Sequence, residues 1–126
     1  MSNVLAVGLG GFVGANLRYL LTKIIPATGI SLATLTANVV AGLLIGVIVG
    51  LDGSAFALPP KWKLLVNTGL LGGLSTFSTF SMETVALFSA GKYALGAANA
   101  ALNLGLSIGG VIVGTAIVGA VSGRQI

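Results

Sequence analysis

The sequence predicts an all-α membrane protein: four transmembrane helices, the third broken near the bilayer centre, assembled as an antiparallel dual-topology homodimer. Three observations carry this reading. Only 6% of the residues are charged and 56% are hydrophobic. Soluble domains carry roughly 25% charged residues, so an ordinary water-facing surface cannot be built. Four apolar stretches follow one another, each at or above the roughly 20 residues that a spanning helix needs. The basic residues also divide evenly between the two sides that four crossings create. Residues 1–126 read as a single domain.

The first crossing covers 4–25. Its start, MSNVLAVGLGG, lacks a basic region and a clear cleavage site, so it reads as a retained span rather than a signal peptide. Pro26 and Gly29 end it. The second covers 32–51 and is separated from the third, 62–89, by LDGSAFALPPK. AGK (90–92) is the tight turn before the fourth, 93–121. Trp62, Tyr93 and Tyr19 fall near span ends, where amphipathic rings favour the headgroup layer.

Lys61, Lys63 and Arg124 lie on one side of such a bundle, and Arg18, Lys23 and Lys92 on the other. Lys and Arg in short loops normally set orientation, and this even count gives no bias. A single-topology protein can show it by chance. The sharper reading is a chain that inserts both ways, with opposite copies pairing; four short helices also enclose little alone. The basic residues read as interfacial anchors rather than nucleic-acid contacts. Glycines at four-residue spacing (Gly10 with Gly14, Gly42 with Gly46 and Gly50, Gly69 with Gly73, Gly105 with Gly109) read as faces for close helix packing.

Cys and His are absent, which excludes disulfides, thiolate or imidazole metal sites and Ser–His triads. The two acids, Asp52 and Glu83, are far apart in sequence and show no sign of pairing. Enzymatic chemistry is poorly supplied.

Polar side chains within spans are costly against lipid and point to protein or to a pathway. They are Thr34, Thr36 and Asn38 in the second span, and Asn67, Thr68, Ser75, Thr76, Ser78, Thr79, Ser81 and Glu83 in the third. The fourth has Asn99, Asn103 and Ser107, spaced to share one helical face. That ladder is either interhelical hydrogen bonding or part of a path. As one helix the third span would extend roughly 42 Å, against a hydrocarbon core of roughly 30 Å. Tilt could absorb the excess, but GGLST (72–76) suggests a break, since paired glycines favour one and Ser and Thr can replace backbone partners. Carbonyls freed at a break can hold a cation, and freed N–H groups favour an anion. Phe77 and Phe80 share a face and are interleaved with hydroxyls. Aromatic ring edges are electropositive, so ring edges plus O–H and N–H donors can line an anion path without a fixed cation. The alternative for these rings is lipid contact or core packing. Glu83, near the far end, reads as a vestibule residue or a hydrogen-bonded helix-end acid.

GGFVGANLRY (10–19), TLTANVVAGLLIG (34–46) and above all NTGLLGGLSTFSTFSMET (67–84) resemble the Fluc family of fluoride channels, also named CrcB, over essentially the whole chain. The resemblance implies a dual-topology homodimer with two antiparallel fluoride pores in a prokaryotic plasma (inner) membrane. It places Phe77 and Phe80 as pore phenylalanines, Asn38 as a pore-facing amide, and Ser78, Thr79, Thr34 and Glu83 along a polar track. It places the carbonyls of Gly72 and Ser75 at the break, holding a structural Na⁺ between the chains, and Arg18 near a vestibule. Family members often carry Tyr or Ser on the fourth span's pore face; here Asn99, Asn103 and Ser107 stand there, with Asn103 and Ser107 expected at the pore.

The function implied is passive fluoride export that relieves fluoride toxicity, driven by the gradient, with no ATP and no protein substrate. A proton-coupled small multidrug-type exporter is the alternative. It needs an acid deep in the first span, and that span has none.

Overall fold

The computed structural model describes residues 1–123; Arg124, counted above among the charges, lies outside them. Among the described residues the elements are all helical. Helix α1 (Asn3–Ile24) starts at Ser2, whose hydroxyl accepts the Leu5 amide at 3.1 Å. Helix α2 (Leu32–Leu51) starts at Ser31, whose hydroxyl accepts the Thr34 amide. Both are short-side-chain caps that satisfy an amide left over by the first turn. Gly29, with φ of +72°, turns the chain between them.

The stretch expected as the third crossing is not one helix. Helix α3 (Pro60–Lys63) opens with a proline at its first position, where no amide is needed. It runs into a π-helical segment, Leu64–Leu71, then a last turn, α4 (Gly72–Leu74). After a break comes α5 (Phe77–Ser89). Gly91, with φ of +76°, makes the turn into α6 (Tyr93–Ser122). Helices α1, α2 and α6 are each long and apolar enough to cross a membrane alone.

The break lies at Ser75 and Thr76, both in extended conformation with ψ of 154° and 124°. This corrects the expectation that paired glycines would open the helix. Gly72 and Gly73 stay helical. Gly73 is needed for contact instead: a Cβ there would come within 2.8 Å of the Gly11 carbonyl oxygen on α1.

Two glycine seams organise the bundle. Helix α1 packs on the π-helical segment and α4, where a Cβ on Gly10 or Gly14 would sit 2.0 Å from the carbonyl oxygen of Leu65 or Leu70. Helix α2 packs on α6, with Gly42 and Gly46 against the Ser107 and Val111 carbonyls and Gly114 against that of Leu43. Close backbone approach of this kind is what holds helices together in lipid. The α6 glycines that make this seam are Gly110 and Gly114. Gly105 and Gly109, expected to pack, have open space where a Cβ would stand, with nothing of the chain within 4 Å, because they lie on another face of the helix. A cluster of Ala37, Ala41, Ile48, Leu71 and Leu74 fills the small space between the pairs. Large side chains such as Phe12, Ile24, Ile112 and Val121 point outward, as expected where lipid replaces water.

Candidate functional site

At the break the backbone loses its helical partners and neighbouring side chains replace them. The Thr76 amide, which in a continuous helix would bond the Gly72 carbonyl, donates to Asn38 Oδ1 at 2.7 Å. Asn38 Nδ2 donates back to the Thr76 carbonyl at 3.1 Å. One carboxamide thus pairs with both polar groups of one residue, as a neighbouring strand would. On the other side Arg18 Nε donates to the Gly73 carbonyl at 3.2 Å, and its Nη1 to Thr79 Oγ1 at 3.4 Å. Arg18 therefore reaches from α1 to the break rather than standing as a loop anchor. Thr76 Oγ1 accepts the Thr79 amide at 3.2 Å and caps α5. Ser75 contributes its hydroxyl to the Leu71 carbonyl at 2.9 Å.

A groove of about 290 Å³ opens beside the break. Asn38, Gly42 and Ile45 of α2 line it, with Ser75, Thr76, Phe77 and Phe80, and Asn103, Ser107 and Val111 of α6. It brings together five of the residues expected at a pore: Phe77, Phe80, Asn38, Asn103 and Ser107. The two rings meet edge to face, centroids 4.7 Å apart and planes at 77°. Phe80 is buried, while Phe77 is 69% exposed in the single chain. Ser107 Oγ is buried and without a hydrogen-bond partner, so it is a free polar group in a largely apolar groove.

The remaining expected residues, Ser75 apart, fall outside the groove. Thr34 Oγ1 donates to Glu83 Oε1 at 2.8 Å and contacts Ser31 Oγ at 3.1 Å, while Glu83 Oε2 is buried without a partner. Thr34 and Asn38, one turn apart on α2, thus both grip the third crossing. Ser78 is exposed beside Thr76 Oγ1, at 3.5 Å. Thr79 is taken up by Arg18 and Thr76. Gly72 is exposed in the single chain, its carbonyl released by the diversion of the Thr76 amide. The Ser75 carbonyl is released likewise, since the Thr79 amide turns to Thr76 Oγ1. Two hard oxygen donors at one break suit a small monovalent cation.

The fourth-span ladder resolves into two kinds of residue. Asn99 and Asn103 are fully buried. Asn103 Oδ1 accepts from Asn38 at 2.9 Å, and its Nδ2 donates to the Asn99 carbonyl at 2.9 Å and to Asn99 Oδ1 at 3.2 Å. Asn99 Nδ2 donates to Thr84 Oγ1 at 2.8 Å. The interhelical reading of the ladder therefore describes these two, and Ser107 alone faces the groove unpaired. Thr84 was not singled out from the sequence. Its position one turn beyond Phe80 was the available signal, and its hydroxyl bonds the Phe80 carbonyl at 2.7 Å.

The family model described as "CrcB-like protein, Camphor Resistance (CrcB)" matches residues 5–115. Curated relatives named fluoride-specific ion channel FluC are similar over most of their length. That of Clostridium novyi is 44% identical over 88% of this chain and 89% of its own. That of Ralstonia pickettii is 49% identical over 82% and 84%, and that of Paraburkholderia xenovorans 41% identical over 95% and 97%. A match running from α1 into α6, across both glycine seams and the break, means that this chain belongs to the CrcB-like family.

Proposed function

We propose that this chain forms a fluoride-selective channel that lets fluoride leave the cell passively and so lowers its toxicity. The observation that carries the reading is the groove at the break. It gathers the Phe77–Phe80 pair and the unpartnered Ser107 hydroxyl on one groove, in a family whose curated members bear the name of fluoride channel. Fluoride is small and strongly hydrated, so it enters only where short-reach donors replace its water. Ring edges and a hydroxyl do so without a fixed cation, which keeps binding weak enough for release. Ser78, Thr79, Thr34 and Glu83 continue the route as a polar track toward the ends.

Two copies in opposite orientation form the working unit, in a prokaryotic plasma membrane. The exposed Phe77 and the unoccupied glycine face of Gly105 and Gly109 support a second copy. So does the even division of Lys and Arg. Na⁺ belongs between the copies: the released carbonyls of Gly72 and Ser75 would hold it, and the ion would neutralise oxygens that the break leaves without amides. A proton-coupled exporter is not favoured, since α1 contains no acid and the only acid of the third crossing, Glu83, is held by Thr34.

The test is efflux from liposomes read with a fluoride electrode, with and without a K⁺ ionophore. Ionophore-dependent fluoride efflux with negligible chloride efflux is expected. Absence of efflux from folded dimers would overturn the reading, and efflux that requires a proton gradient would favour coupled export. Phe80→Ile is expected to lower the flux while the dimer persists on gel filtration.

A further inference from the structure

The hydrogen bonds around the break form a single directed chain. Thr76 N–H donates to Asn38 Oδ1, Asn38 Nδ2 to Asn103 Oδ1, and Asn103 Nδ2 to Asn99 Oδ1. Asn99 Nδ2 then donates to Thr84 Oγ1, and the Thr84 hydroxyl to the Phe80 carbonyl. Its direction is fixed by backbone groups at both ends. An amide N–H can only donate, so it selects the oxygen of Asn38; a carbonyl can only accept, so it selects the hydroxyl proton of Thr84. Each carboxamide between them has one orientation that fits. Both ends lie on the same piece of chain, at the cap of α5 and one turn into it, so the chain closes on the segment that carries Phe77 and Phe80.

We infer that Asn99, Asn103 and Thr84 are positioning residues, which set the Asn38 carboxamide and hold the Thr76–Phe80 turn in the geometry that conducts. Both Nδ2 protons of Asn38 and both of Asn103 are committed within the protein. Neither residue has a proton to offer a passing anion in this state, although both line the groove. That leaves Ser107 as the uncommitted side-chain donor among these three. Chains of bonds polarise one another in a low-dielectric interior, and an interruption anywhere leaves buried amide groups unpaired. Loss of Thr84, which lines no part of the groove, is therefore felt at Thr76 through three intervening carboxamides.

The transport readout rests on the fluoride-channel reading; a second readout does not. Amide exchange at Thr76 is measured by NMR on threonine-labelled dimers, alongside fluoride efflux, for Asn99→Leu, Asn103→Leu, their double variant and the near-isosteric Thr84→Val. Each leucine variant is expected to speed Thr76 exchange and slow fluoride efflux by about tenfold, the double no further than either single within about twofold. Thr84→Val is expected to speed Thr76 exchange severalfold. Effects of the two singles that multiply, or normal efflux in Asn99→Leu beside lost efflux in Asn103→Leu, would overturn the inference. So would unchanged Thr76 exchange in Thr84→Val, which decides the matter if the leucine variants do not fold. Wild-type protein without fluoride efflux would sink the channel reading alone, because Thr76 exchange still reports the chain of bonds.

Discussion

Along the seam between α1 and the π-helical segment, backbone lies against backbone, with glycine hydrogens where side chains would stand. At the break, barely a turn further on, side chains meet the backbone instead: Arg18 bonds the Gly73 carbonyl, and Asn38 pairs with both polar groups of Thr76. The first arrangement depends on shape and tolerates no added atom. The second depends on donors and acceptors, and a substitution that keeps volume but changes polarity damages it. A rigid frame beside an adjustable polar centre suits a protein that must hold a path open without gripping what passes.

Substitutions can break or sharpen this contrast. The largest effect is expected for Gly14→Ala, whose methyl would meet the Leu70 carbonyl at 2.0 Å. A loss of about 3 kcal/mol is expected from overpacking that only backbone movement relieves, seen as a collapse in the yield of monodisperse protein. Gly109→Ala is the control, because nothing of the same chain stands within 4 Å; any loss there reports the second copy. Thr34→Val comes next. It keeps the shape but removes the donor to Glu83 Oε1, and a cost of about 2 kcal/mol in denaturant titration is expected for a buried acceptor left unpaired. Ser107→Ala should leave stability within about 0.5 kcal/mol, since its hydroxyl has no partner to lose. Its fluoride flux should fall severalfold; an unchanged flux would remove Ser107 from the path. The smallest effect is expected for Lys63→Met, which severs the half-exposed ion pair with Asp52. Such a pair contributes at most about 1 kcal/mol, and a shift in thermal midpoint beyond a few degrees would contradict this.

Much of this was legible from the residues. Apolar run length and the GGLST anomaly located the crossings and the broken one, and the resemblance through residues 67–84 pointed to the family. The exact place of the break was not legible, because glycine propensity points to 72–73, whereas the opening depends on partners from α1 and α2 that are remote in sequence. The π-helical segment left no periodic signal, since its apolar residues fit either winding. Glycine spacing could not separate Gly105 and Gly109 from Gly110 and Gly114: the two pairs share a spacing and differ only in azimuth. For Asn99 and Asn103 the sequence narrowed the choice to bonding or lining, and only the direction of each carboxamide decides between them.

The partners of the break also have an order of synthesis. Arg18 and Asn38 leave the ribosome before Thr76, but Asn103 and Asn99 follow it. Until α6 arrives, the second Nδ2 proton of Asn38 has no acceptor from the protein and the Thr84 hydroxyl has no donor. Insertion of the last helix is therefore what seals the half-crossings against lipid. We predict that a single cysteine introduced into α5, as Ser81→Cys, is accessible to aqueous reagents in released chains truncated after Lys92, and protected in chains completed through α6. Equal protection in both would show that the third crossing settles without its final partner.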